Sequence, residues 1–136
     1  MQLLLKNILP SYFEEERKNG SEIWGKDLVF SKGELIKIVA PSGSGKTSLV
    51  HFFYGMRHEY SGSIFYNDKD IKKFTVEDFA AYRKKHISVV FQDMRLFTHQ
   101  TVFENIEIKR QLNPFHPPEK IKEMCERLGI DSKLQS

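Results

Sequence analysis

The chain is nearly devoid of cysteine: Cys125 is the only one among 136 residues, which excludes an internal disulfide and any cysteine-cluster metal site. Long apolar stretches are also missing. The longest unbroken run, Phe79-Ala80-Ala81-Tyr82, has four residues, whereas a membrane span needs about 20. At the amino end Leu3-Leu4-Leu5 gives way at once to Lys6 and Asn7, too short for the roughly 7–15-residue apolar region of a secretory signal, so a cytoplasmic setting is expected. No sign of charge dominates: 21 Lys and Arg stand against 18 Asp and Glu, a net charge of +3, with acids interspersed among the bases. Such a balance describes a solvated surface rather than a nucleic-acid stripe, so no nucleic-acid partner is expected. The five histidines form no H-E-x-x-H zinc helix, and no G-x-S-x-G nucleophile elbow occurs.

What the chain does contain is an alternation of element types that suits one α/β domain. Residues 2–6 read as an edge strand and residues 27–30 as a second, followed by a turn at Lys32-Gly33. Residues 35–40 are nearly all apolar and rich in β-branched side chains, which predicts a strand buried on both faces of a mostly parallel sheet. A helix is expected over 46–54, carrying Leu49, Val50, Phe52 and Phe53 and stopped by Gly55. Strands are expected over 63–66 and 86–91, with a turn at Asn67-Asp68 and a helix from Thr75, three residues before Asp78. Thr101 and Glu104 make a capping box that opens a helix through Ile108. Pro114, Pro117 and Pro118 then break the chain before a last helix, where Ile121, Met124, Cys125 and Leu128 share one face and Gly129 ends it.

Between the buried strand and its helix, residues 40–47 read Ala-Pro-Ser-Gly-Ser-Gly-Lys-Thr. They match the phosphate-loop pattern G-x-x-x-x-G-K-[ST] everywhere except the first position, where Ala40 replaces glycine. Gly43 and Gly45 can adopt backbone angles closed to other residues and turn successive N–H groups inward, an anion-binding nest at a helix amino end. Lys46 adds a point charge for the β- and γ-phosphates, and the Thr47 hydroxyl is a hard oxygen ligand for Mg²⁺. The candidate phosphate-binding set is therefore Ser42, Gly43, Ser44, Gly45, Lys46, Thr47 and Ser48, with Mg²⁺ beside the phosphates. A dinucleotide fingerprint fails, because G-x-G-x-x-G needs glycine where Ser48 stands.

A phosphate loop fixes a ligand class rather than a function. No Asn-Lys-x-Asp guanine reader is present. The run Ile87-Ser88-Val89-Val90-Phe91-Gln92-Asp93-Met94-Arg95-Leu96-Phe97, followed by Thr101-Val102-Phe103-Glu104-Asn105-Ile106, resembles the Q-loop region of ATP-binding cassette (ABC) transporter ATPases. So does Lys32-Gly33-Glu34 ahead of the phosphate loop, and the resemblance extends from Met1 to about Gly129. Tyr82-Arg83-Lys84-Lys85 and its spacing to Gln92 are similar to the branch serving lipoprotein release, macrolide export and bacterial cell division.

The resemblance implies ATP as the nucleotide and a P-loop NTPase: an incomplete RecA-like core with antiparallel edge strands over residues 1–91, then the Q-loop and the start of a helical subdomain over 92–136. Gln92 would contact Mg²⁺ and the attacking water, joining Lys46 as a catalytic residue and Thr47 as a metal ligand. Asp93, an acid after an apolar run, could alternatively mimic a Walker B carboxylate. Tyr12 matches the aromatic that stacks on adenine, with Phe13 and Trp24 as rivals. A transmembrane permease would dock near Met94, Leu96, Phe97 and His99, and the protein would sit at the inner face of the cell membrane. A second ABC ATPase subunit or a second copy of this chain is the other expected partner.

No residue matches the family's signature Leu-Ser-Gly-Gly-Gln, its Asp-Glu Walker B end or its switch histidine. The expectation is thus the amino-terminal part of an ABC ATPase, which binds ATP with little or no turnover. Residues 35–40, without a Walker B neighbour, would expose an apolar edge open to another chain. The alternatives are a truncated, non-hydrolysing nucleotide-binding or interaction module and, third, a P-loop small-molecule kinase.

Overall fold

Strand β1 (Leu3–Pro10) organises the amino-terminal half, with Leu5, Ile8 and Leu9 buried. It pairs antiparallel on one side with β2 (Asp27–Phe30), Leu3 opposite Phe30, and on the other with β3 (Tyr60–Tyr66), Leu5 opposite Ile64. β3 carries the short β4 (Lys69–Asp70), giving a four-stranded sheet in the order β2-β1-β3-β4. The expected edge strand is therefore an interior strand and runs four residues further than residues 2–6. A register shift between Lys6 and Leu9 lets it continue past the polar Lys6-Asn7 pair, and Asn7 takes the left-handed conformation there. Across the bulge stands Gly62 at φ +82°, where a Cβ would lie 2.3 Å from the Asn7 carbonyl oxygen. Only glycine fits that approach.

The structure, a computed structural model, describes residues 1–136 and divides into two compact units, Met1–Val89 and Val90–Ser136. In the first, α1 (Lys46–Tyr54) packs Leu49 and Phe52 into a core with Ile8, Ile64 and Tyr66. Each fully buried large apolar side chain contributes about 1.5–3 kcal/mol. Gly55, left-handed at φ +74°, ends α1 as the sequence predicts, and Phe79 of α2 (Val76–Lys85) fills the space a Cβ would need. Thr75 and Asp78 form the expected capping box of α2. From the same helix Arg83 donates to the Tyr54 and Gly55 carbonyls at 2.9–3.1 Å, satisfying acceptors that the end of α1 leaves open.

Two expected strands are absent. Residues 35–40 run without a ladder partner, Leu35 and Val39 being exposed, and residues 86–91 do the same with Val90 exposed. A strand of a parallel sheet takes both its hydrogen bonds and its cover from neighbours, and no strand among residues 1–136 pairs with either segment. Their β-propensity has nothing to act on.

In the second unit α3 (Val102–Leu112) starts at the Thr101–Glu104 capping box and continues four residues beyond Ile108. α4 (Glu119–Leu128) ends at left-handed Gly129, and a 3₁₀ turn (Asp131–Lys133) brings Leu134 to the small core of Ile121 and Cys125. The Val102 and Phe103 amides donate to the Ser136 and Leu134 carbonyls at 3.1 and 2.9 Å. Met124 and Leu128 are exposed, so the buried face of α4 is narrower than its apolar pattern suggests.

Candidate functional site

The phosphate loop folds as its glycines require. Gly43 and Gly45 both take left-handed backbone, at φ +80° and +93°, and α1 begins immediately after Gly45. No side chain caps that helix start, so first-turn amides face outward with the positive end of the helix dipole behind them. Such an end is suited to a phosphate. Thr47 is exposed, leaving its hydroxyl accessible, and Lys46 folds over the loop to donate to the Ala40 carbonyl. Ala40, the departure from the glycine pattern, thus contributes its carbonyl to the loop's own hydrogen bonding. Ser44 is tied in turn, its hydroxyl donating to the Pro41 carbonyl.

Of the three rival aromatics, the fold separates one from the others. Trp24 is buried, and its indole N–H donates to the Ser44 carbonyl at 3.1 Å. Phe13 stands edge-on to it at 6.0 Å, and both rings crowd the place where a Cβ on Gly45 would go, at 2.8 Å for Trp24 and 3.1 Å for Phe13. Trp24 and Phe13 are therefore the floor beneath the loop. Tyr12 is 50% exposed, and its hydroxyl meets the Ser48 hydroxyl in the first turn of α1. The chain thereby joins the aromatic at the amino end to the phosphate loop 36 residues away in sequence. A cleft of about 720 Å³ opens beside the loop, with Trp24, Leu28, Val39, Pro41 and Lys46 among its walls.

One residue of this neighbourhood was not signalled by any motif. Arg57 places its guanidinium 5.1 Å from the Tyr12 ring centroid and 3.5 Å from the Ser48 hydroxyl, and pairs with Glu59 at 3.2 Å. Backbone hydrogen bonding, and after it Arg57, hold the Glu59 carboxyl below its ordinary range against the opposing effect of burial. Its only sequence signal is position, two residues past the glycine that ends α1.

In the second unit, Gln92 and Asp93 lie exposed at a bend, and Asp93 pairs with Arg95 at 3.2 Å. Met94, Leu96 and Phe97 are exposed on the loop that follows. Asn105 of α3 holds that loop by both ends of its amide, accepting from the Phe97 N–H at 2.8 Å and donating to the carbonyls of Phe97, Gln100 and Thr101 at 2.9–3.3 Å. Sequence reading used Asn105 only as part of a motif; its structural work is to shape the loop.

With this geometry in hand, the family is clear. The ABC transporter family profile matches residues 25–136, and the chain belongs to that family. It is 32% identical over 108 residues to the ABC transporter ATP-binding protein YtrE of Bacillus subtilis, covering 77% of this chain and 47% of that protein. It is 36% identical over 96 residues to the spermidine/putrescine import ATP-binding protein PotA of Haemophilus influenzae, 71% of this chain and 24% of that protein. The lipoprotein-releasing system ATP-binding protein LolD of Idiomarina loihiensis is 25% identical over 111 residues, 79% of this chain and 49% of that protein. The chain thus spans less than half the length of these relatives. No helix is long and apolar enough to cross a membrane.

Proposed function

We propose that this chain is the nucleotide-binding part of an ABC transporter ATPase, holding Mg-ATP at residues 42–48 and coupling its binding to a membrane permease. The observation that carries the reading is the uncapped start of α1, preceded by two left-handed glycines and flanked by Lys46, Thr47 and Tyr12. First-turn amides and Lys46 hold the β- and γ-phosphates, Ser48 sits toward the base-proximal end with Tyr12, and the Tyr12 ring offers a flat face to adenine. Mg²⁺, when bound, would neutralise phosphate charge, with Thr47 as its protein ligand in the first unit. Residues 1–91 act as the phosphate-loop core, and residues 92–136 supply the Q-loop and the start of a helical subdomain. The RecA-like core is incomplete within this chain. Met94, Leu96, Phe97 and His99 form the permease docking loop, which sets the protein against the inner face of the membrane.

Hydrolysis by residues 1–136 alone is slow or absent, because no acid here matches a Walker B base. The exposed, unladdered segment 35–40 favours a second reading, a module that binds nucleotide without turning it over and pairs with a second ATPase subunit or another copy of itself. Calorimetric titration with Mg-ATP, beside Lys46→Ala, tests the main reading. Saturable binding lost in the variant is expected; a folded wild-type chain that binds no ATP would overturn it. For the docking loop, Phe97→Asp should weaken assembly with the permease, and unchanged assembly refutes that assignment.

A further inference from the structure

Tyr12 offers a base-stacking face only if its ring is held. Phe13 stands edge-on to it at 5.2 Å, and the Tyr12 hydroxyl is anchored at Ser48. Arg57 adds a third restraint. Its guanidinium lies over the Tyr12 ring at 5.1 Å and reaches toward Ser48 at 3.5 Å, while it pairs with Glu59 at 3.2 Å and lies 6.0 Å from the Phe52 ring. A cation over one flank of the phenol ring fixes its plane and leaves the other flank for a ligand. Ordering the ring before the base arrives removes part of the entropy cost of stacking.

We infer that Arg57 is a positioning residue for the nucleobase: it clamps Tyr12 to the start of α1 and so sets affinity for the base end of the nucleotide, not for its phosphates. The inference rests on the proposed nucleotide site. Its test compares Mg-ATP with Mg-tripolyphosphate, which carries the phosphates and no base, by calorimetry on the wild-type chain, Arg57→Ala and Arg57→Lys. Arg57→Ala is expected to weaken ATP binding about fivefold, the order of one exposed cation–π contact, and to leave tripolyphosphate affinity unchanged. Arg57→Lys should recover part of the ATP affinity, since an ammonium can still lie over the ring. Far-UV circular dichroism and a urea melt identify any variant that has lost its fold, in which case Arg57→Lys alone decides, by weakening ATP and not tripolyphosphate. Equal ATP affinity in wild type and Arg57→Ala overturns the inference while leaving the nucleotide site standing, as does an equal loss for both ligands. Absence of ATP binding by the wild-type chain overturns the site and the inference together.

Discussion

Replacing Gly43 and Gly45 by alanine, one at a time, separates two costs that the phosphate loop combines. Both residues sit in left-handed backbone, so each substitution pays roughly 1–2 kcal/mol of conformational strain. At Gly43 a Cβ meets nothing within 4 Å. At Gly45 it lies 2.8 Å from the Trp24 ring and 3.1 Å from Phe13, and neither ring is the loose end of a flexible side chain. Overpacking of this kind adds about 1–3 kcal/mol. Gly45→Ala should therefore be less stable than Gly43→Ala by about 1–3 kcal/mol, the strain being common to both. Urea unfolding followed by far-UV circular dichroism measures the difference. Fluorescence of Trp24, the one tryptophan, reports the same clash directly, because the displaced ring is the reporter. Equal midpoints for the two variants, with unchanged emission, would refute the argument that Trp24 and Phe13 form a floor under the loop.

Two further perturbations act on the sheet and its core. Gly62→Ala forces a Cβ to 2.3 Å from the Asn7 carbonyl oxygen and 2.4 Å from that of Lys6, so the β1–β3 bulge must open; a loss of about 2–4 kcal/mol in urea melts is expected. Tyr66 is pushed up to about 12 by burial, chiefly, with Tyr54 and Tyr82 adding to it and Arg83 opposing. Its neutral form is thus favoured in the folded state: its contribution is complete below about pH 10, the ordinary phenol value, and is lost as pH rises toward the folded value. Stability measured from pH 9 upward should fall across that window, and fall less in Tyr66→Phe, which also forgoes the hydroxyl's bond to the Phe53 carbonyl.

Elements whose cause is local were legible in the sequence. Thr75 with Asp78 and Thr101 with Glu104 start helices because the capping box needs only four residues, and Gly55 and Gly129 stop them because a left-handed residue is required at that point. Segments 35–40 and 86–91 were not, since a strand exists only when another strand pairs with it, and periodicity reads a segment's preference without its partner. The interior position of β1 was missed for the same reason: its two partners lie on either side of the phosphate loop in sequence. Within the candidate site, the left-handed turns at Gly43 and Gly45 were legible from the loop's spacing. Arg57 and the supporting role of Trp24 were not, because each depends on a contact between distant segments that no motif encodes.

The same distinction explains how the phosphate loop keeps its form when the segment ahead of it has no ladder. Its ties are short-range: Lys46 to the Ala40 carbonyl, Ser44 to that of Pro41, and the Leu49 amide to that of Gly45 at 2.9 Å. Among its long-range ties are Tyr12 to Ser48 and Trp24 to Ser44, and Trp24 is itself held in the core of the first unit. Nucleotide affinity should then follow that indole and be indifferent to the apolar character of residues 35–39. Trp24→Phe keeps an aromatic ring and removes one neutral hydrogen bond, worth about 1 kcal/mol, so Mg-ATP should bind about fivefold more weakly. Val39→Thr, at an exposed position of the same loop's approach, should leave binding within twofold, a negligible energy on this scale. If Val39→Thr weakens ATP binding as much as Trp24→Phe does, the loop depends on its strand after all, and the local account of its shape fails.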